Sequence, residues 1–186
     1  MSGSVIAKRY AKALFEFSLE MNVVEETRKD MELVMSVCKS NPDFRRLLKS
    51  PVIRPEKKQK VIKAIFGDEI SKLSLRYLNI IIRKKRESYI NQIAEEYIFA
   101  YKKFKNIFTI YFSSATEISD DIRKKVIALL EEQTKASIEL IEDVKKELVG
   151  GFVLNYNDYR YDASIAYQLK KLKKESALIN LYKRVF

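Results

Sequence analysis

Histidine is absent from this chain, there is one cysteine (Cys38), and 186 residues contain only four glycines and three prolines. Without histidine, the commonest general base and the commonest metal ligand are gone. With a single cysteine besides, neither a zinc site nor a Cys-His nucleophile pair can be assembled. No internal disulfide can form either, which fits a reducing compartment. Carboxylate chemistry remains open. The scarcity of glycine and proline, beside 47% apolar and 33% charged residues, marks a globular, helix-rich chain and not a disordered one.

Long apolar runs are missing too. No uninterrupted run exceeds about five residues, as in YIFAY at Tyr97–Tyr101, whereas a membrane span needs roughly 20. Lys8, Arg9 and Lys12 stand where a signal peptide would need its apolar core. The expectation is a soluble, intracellular chain, or one held at a membrane by a partner.

What is abundant is positive charge, and it is uneven. The formal net charge is +11. Residues 1–105 carry 23 Lys/Arg against 13 Asp/Glu, a net of +10, and residues 106–186 carry 13 against 12, a net of +1. Residues 45–86 alone hold 14 against 3. One half therefore faces either solvent or a partner of negative potential. A basic nucleic-acid-binding module is the alternative reading. It lacks the aromatic platform, interleaved with the basic run, that a single-strand binder needs.

The first hundred residues show helical periodicity throughout. Ala7, Tyr10, Ala11, Leu14, Phe17, Ser18 and Met21 recur at spacings of three and four. Val24, Met31, Val34, Met35 and Cys38 repeat the pattern, which makes Cys38 a small buried hydrophobe instead of a reactive thiol. A short helix is expected from Asn41-Pro42, with proline at the first helical position. A fourth follows Pro55 and stops at Gly67. A fifth spans about Glu69–Lys84 and a sixth about Glu87–Lys105. Six helices on short connections predict a bundle. The fifth is unusual: its apolar residues, among them Leu75, Leu78, Ile80 and Ile82, cover an arc of about 220°, where a surface helix needs little over 100°. Either it runs through the bundle centre, or its extra apolar edge docks a partner helix. Arg83-Lys84-Lys85-Arg86, at its end, suits a helix C-terminus.

After Lys105 the period changes. NIFTIYFSSA is β-branched and aromatic and predicts a strand. SDDIRKKVIALLEEQT opens on a Ser/Asp cap and continues at helical spacing. ASIELIEDV predicts a second strand. In VGGFVLNYNDYRYDASI, Gly150-Gly151 lacks the Lys-Ser/Thr and following helix of a phosphate loop. The pair is expected to form a bend with positive φ or a close backbone approach. Asn157-Asp158 is expected to turn a hairpin, and Asp162 to cap a last helix with the stripe Ile165, Leu169, Leu172. The fold class predicted is α+β: a six-helix bundle over 1–105, then a small mixed α/β domain over 106–186 in the order β-α-β-β-β-α.

Several passages in order resemble one family. IAKRYAKALFEFS at Ile6–Ser18, LLKSPVIRPEKKQKVIKAIF at Leu47–Phe66, RYLNIIIRKKR at Arg76–Arg86, SSATEIS, and LVGGFVLNYNDYRYDASIAYQLKKL at Leu148–Leu172 are similar to the delta subunit of rotary F-type ATP synthases. The mitochondrial relative of that subunit is the oligomycin sensitivity conferral protein. The match covers nearly the whole chain; Arg76 (often Asn in the family), Ile118 (usually Leu) and the tyrosine-rich loop YNDYRY depart from the pattern. The resemblance implies a non-catalytic stator subunit of the peripheral stalk, with no catalytic, metal or cofactor-binding residues and no cofactor. It implies that the first domain binds the N-terminal amphipathic helix of an alpha subunit between the first and fifth helices, and that the second binds the stalk b subunits. Nucleic acid is not an implied partner. The membrane, at its cytoplasmic face, is met only through the complex. On this resemblance Ile6, Tyr10 and Phe17, with Leu75, Leu78 and Ile82, are expected to line the groove.

Overall fold

A computed structural model of the protein describes residues 2–156 and 159–173. The chain divides into two compact units, Met1–Lys105 and Asn106–Phe186. The first contains six α-helices: α1 (Ser2–Glu20), α2 (Val24–Ser40), α3 (Pro42–Lys49), α4 (Pro55–Phe66), α5 (Lys72–Arg83) and α6 (Ile90–Phe104). The second contains β1 (Ile107–Ser114), α7 (Asp120–Thr134), β2 (Ser137–Val144), β3 (Phe152–Tyr156) and β4 (Tyr159–Asp162), followed by a helical run at 165–173. The protein is thus a mixed α+β chain.

Caps and turns account for the helix ends. At α1, Asn22 takes the left-handed conformation (φ 56°), and the N–H groups of Asn22 and Val23 return to the carbonyls of Leu19 and Ser18. This double closure satisfies carbonyls that the end of a helix leaves free. Asn41 Oδ1 accepts from the Phe44 N–H at 3.0 Å and starts α3, with Pro42 at its first position. α5 begins at Lys72, three residues later than expected. Ser71 is its cap, accepting from the Ser74 N–H, and Asp30 on α2 holds Ser71 through both its N–H (3.1 Å) and its hydroxyl (2.6 Å). α4 stops at Gly67 as expected: this residue is its C-cap, in right-handed conformation (φ −56°), with its N–H on the Lys63 carbonyl. A single 3-10 turn, Glu87–Tyr89, precedes α6.

The core of the first unit runs along α1, α2 and α6. Ala7 and Ala11 are fully buried, and their small size lets α1 and α6 approach closely. Phe15 meets Tyr97 and Phe104 of α6 edge-on. The buried Tyr97 hydroxyl lies 2.9 Å from Ser18 Oγ and donates to the Val24 carbonyl. Cys38 lies in this core, and burial pushes its thiol up to about 11.

In the second unit the sheet order is β2-β1-β3-β4. β1 and β2 are parallel, and the other pairs are antiparallel. The parallel pair is joined through α7, as a parallel connection requires. Gly151 has φ +75°, and a Cβ there would lie 2.3 Å from the Ala163 carbonyl oxygen. Beside it, Gly150 accepts from the Ile165 N–H. The glycine pair thus admits close backbone contact between the entry to β3 and the start of the last helical run. The expected turn at Asn157-Asp158 lies outside the described residues. Asp162 does not itself cap the helical run. Ser164 does, accepting from the Tyr167 N–H at 3.2 Å, while Asp162 Oδ1 accepts from the Ser164 hydroxyl (2.6 Å) and N–H (3.1 Å). Those bonds from Ser164, followed by the Arg160 guanidinium, hold the Asp162 carboxyl below its usual value.

Candidate functional site

An apolar seam runs between α1 and α5. At 100° per residue, Ile6, Tyr10 and Phe17 fall within about 40° on one flank of α1. The opposite flank carries Phe15, already occupied by α6. Ile6 and Tyr10 are half-buried, and Phe17 is 49% exposed. The α5 residue that meets this flank is Tyr77, whose hydroxyl donates to the Tyr10 carbonyl at 2.8 Å. Burial pushes the Tyr77 phenol well up, so it remains a donor at every ordinary pH. Leu73 lies one turn before Tyr77, half-buried, and Ile80 one turn after it, 48% exposed.

The α5 half of the expected groove is therefore corrected. Leu78 and Ile82 are 1% and 0% exposed. They are core residues and offer no surface. Leu75 is half-buried, about 160° around the helix from Tyr77, on the side where Gln59 of α4 donates to the Asn79 carbonyl. The 220° arc resolves into three parts: a buried strip at Ser74, Leu78, Ile81 and Ile82; a flank toward α4; and a flank that meets α1 at Tyr77, with Leu73 beside it and the exposed Ile80 at its edge, where it also lines the space between α4 and α5. α5 is neither wholly central nor wholly a surface helix. The missed residues were on the same helical wheel, but periodicity alone does not say which neighbour covers which edge.

The basic run at the end of α5 is a structural stop. Lys84 is its cap. Lys85 stands in the left-handed region (φ 56°), and the N–H groups of Lys85 and Arg86 bond the carbonyls of Ile82 and Ile81. Lys58, in the middle of the basic stretch, is buried: its Nζ donates to the Leu48 carbonyl (2.9 Å) and to Glu87 Oε1 (2.6 Å). At the end of α6, Glu25 accepts from Tyr101 (2.8 Å) and pairs with Lys105 (2.9 Å). The hydrogen bond from Lys105, then that from Tyr101, lowers the Glu25 carboxyl, and the same Glu25 contact raises Lys105.

The second unit carries its own exposed apolar side chains. Tyr111 and Ile141 stand in register on one sheet face, Ile122 and Leu129 on α7, and Ile165, Leu169 and Leu172 along the helical run. Among the described residues, no group of carboxylates or cysteine is placed to hold a metal ion, and no helix is long and apolar enough to cross a membrane.

Apolar side chains left open along a helix-helix seam, and again over a small sheet domain, are the marks of a protein that couples other proteins. The comparisons agree. The family model described as ATP synthase delta (OSCP) subunit matches residues 6–175. An ATP synthase subunit delta from Parabacteroides distasonis is 32% identical, over 93% of this chain and 96% of its own length. One from Salinibacter ruber is 31% identical, over 92% and 90%. A chain in the Toxoplasma gondii mitochondrial ATP synthase hexamer shares the fold at TM-score 0.72 and 20% identity, covering 92% of this chain and 97% of that one. The chain belongs to the ATP synthase delta (OSCP) subunit family. It is a non-catalytic peripheral-stalk subunit of an F-type ATP synthase, the stator through which rotation is coupled to ATP synthesis. The family match and these relatives give no support to the nucleic-acid-binding alternative.

Proposed function

We propose that the unit Met1–Lys105 holds the catalytic head by binding an amphipathic N-terminal helix of an alpha subunit in the α1/α5 seam, while the unit Asn106–Phe186 holds the stalk b subunits. The seam is formed by Ile6, Tyr10 and Phe17 with Leu73, Tyr77 and Ile80; Leu78 and Ile82 support it from within the fold, and Leu75 lies on the other flank of α5. The observation that carries this reading is the pair of large apolar side chains, Phe17 and Ile80, each about half exposed, on the two helices that the Tyr77–Tyr10 bond ties together. Burying each large side chain contributes about 1.5–3 kcal/mol before ordering costs. A handful of them supports a firm hold without any chemistry. The exposed apolar residues of the second unit support its docking to stalk helices in the same way. The protein then sits at the cytoplasmic face of the membrane as a peripheral component, in contact with lipid only through the complex.

The test is titration of an alpha-subunit N-terminal peptide onto the full chain. Phe17→Glu and Ile80→Glu each weaken binding by at least about tenfold while leaving the unfolding transition near that of the parent. Wild-type affinity in both variants overturns the seam. Leu78→Glu is the wrong probe, because it puts a charge into the core.

A further inference from the structure

Next to the α1 flank of α5, and sharing Ile80 with it, lies a second concavity, between α4 and α5, of about 640 Å³. Its lining is Glu56, Gln59, Lys60 and Lys63 from α4, and Arg76, Asn79, Ile80 and Arg83 from α5. These are one face of each helix, at spacings of three and four. Across the cleft, Gln59 of α4 donates to the Asn79 carbonyl of α5.

The charge of this cleft is not balanced within the chain. Lys60, Lys63, Arg76 and Arg83 have no carboxylate partner among the described residues, and Glu56 is the only acidic residue in the lining. This contrasts with Lys58 on the same helix, which is buried and paired with Glu87. Placing like charges side by side on neighbouring turns costs stability. A carboxylate-bearing partner would remove that cost.

The shape decides between kinds of anion. The walls are mostly helix interiors, whose N–H groups are already bonded to carbonyls one turn back. The first turn of α4, the natural seat for an anion, already carries Glu56. A phosphate would find no backbone cradle, only long side chains strung along the groove. Lys60 and Lys63 lie about one turn apart along α4, and Arg76 and Arg83 about two turns apart along α5, so the charges follow the helix axes and do not converge on a point. Ile80, 48% exposed at the rim, offers an apolar contact beside them.

We propose that this α4/α5 cleft is a docking groove for an acidic amphipathic helix of a partner protein. Its carboxylates lie along Lys60, Lys63, Arg76 and Arg83, and its apolar edge lies on Ile80. The two readings share Ile80 alone: none of the four cations belongs to the α1/α5 seam, and Phe17 is not part of the cleft.

The test uses the full chain and a labelled alanine-based helix with one leucine flanked by glutamates at the third and fourth positions on either side, followed by fluorescence anisotropy. The parent protein binds it, and the same helix with lysines in place of the glutamates does not bind. The double variant K60E/K63E, and separately Arg76→Glu, weaken binding by at least about tenfold, whereas Phe17→Glu leaves it unchanged. All of these positions are exposed, and circular dichroism confirms that each variant folds. An unchanged titration in K60E/K63E and Arg76→Glu overturns the groove. Loss of binding in Phe17→Glu instead assigns the acidic helix to the seam and also overturns it. Stoichiometric displacement of the peptide by inorganic tripolyphosphate, with binding of that anion abolished by K60E/K63E, replaces the helical partner by a phosphate ligand.

Discussion

Lys58 Nζ lies 2.6 Å from Glu87 Oε1, and neither side chain has more than slight contact with solvent. The pair joins α4 to the 3-10 turn that precedes α6, and the same ammonium donates to a carbonyl near the end of α3, that of Leu48. Three segments therefore converge on one charge. Removing one member leaves the other buried and unpaired, which typically costs about 3–5 kcal/mol. Lys58→Met and Glu87→Leu are each expected to lower the urea midpoint by an amount of that order. The double variant K58M/E87L is expected to regain most of the loss. If the two single losses simply add in the double variant, the pair is not coupled.

The Glu25 cluster gives a pH dependence. Glu25 has a lowered carboxyl in the folded protein, caused first by Lys105 and then by Tyr101. A group with a depressed folded pKa contributes stability that is present above its unfolded value, near 4.5, and is lost as pH falls through the lower folded value. Carbon-detected NMR titration is expected to show Glu25 titrating below 4.5, and moving back toward that value in Lys105→Met. Lys105 has the opposite sign: its contribution is present below 10.5 and is lost as pH rises through its raised folded value.

Three residues test backbone conformation. Lys85 and Lys135 both end helices in the left-handed region, at φ 56° and 52°, where glycine meets no Cβ penalty. Lys85→Gly and Lys135→Gly each relieve roughly 1–2 kcal/mol of left-handed strain against an entropic cost of roughly 0.5–1 kcal/mol for glycine, so each is expected to stabilise the protein modestly, read as a higher urea midpoint with an unchanged slope. Gly151→Ala is expected to go the other way, by more than about 1 kcal/mol. Its φ is +75°, and the new methyl would meet the Ala163 carbonyl.

Ser164 is the cap on which the last helical run starts. Ser164→Ala is expected to cost about 1 kcal/mol and to reduce helical circular dichroism. Asp162→Asn retains an acceptor and is expected to cost less. Equal losses in the two variants would show that the charge of Asp162, and not the cap, carries the effect.

Cys38 tests the core. It is fully buried, with a thiol pushed up to about 11, and the thiolate is the reactive form. Labelling by a maleimide at neutral pH is expected to follow the rate of opening of the first unit and to become fast in urea. Rapid labelling of the native protein would place Cys38 at the surface.

The sequence shows some of this directly and some of it not at all. The alternation of three and four in Ala7–Met21 marks α1 and its inner face, because amphipathic periodicity is a local property. Asn41-Pro42 marks the start of α3 for the same reason: cap and proline act within one turn. Gly150-Gly151 was legible as a close approach, but not the partner of that approach, Ala163, which lies on a different segment. By position alone Asp162 is as good a cap as Ser164, because both precede the helical run and both side chains can accept from its N–H groups. The hydroxyl of Ser164 occupies that position, and the carboxylate holds the hydroxyl.

The candidate seam divides along the same line. Ile6, Tyr10 and Phe17 could be picked from α1 because its apolar arc is narrow enough to have an inner strip and one free flank. α5 has an arc too wide for that, so Leu75, Leu78 and Ile82 were as eligible as Leu73, Tyr77 and Ile80. By itself the sequence determined the helices of the first unit, the change to mixed α+β after Lys105, and the family, because order, spacing and periodicity are carried by the chain. Tertiary structure alone decided which edge of α5 faces α1, that Lys58 is an internal cation and Lys60 and Lys63 are not, and how β2-β1-β3-β4 are ordered. The physical reason is that burial and charge compensation depend on neighbours distant in sequence, and those neighbours exist only once the chain has folded.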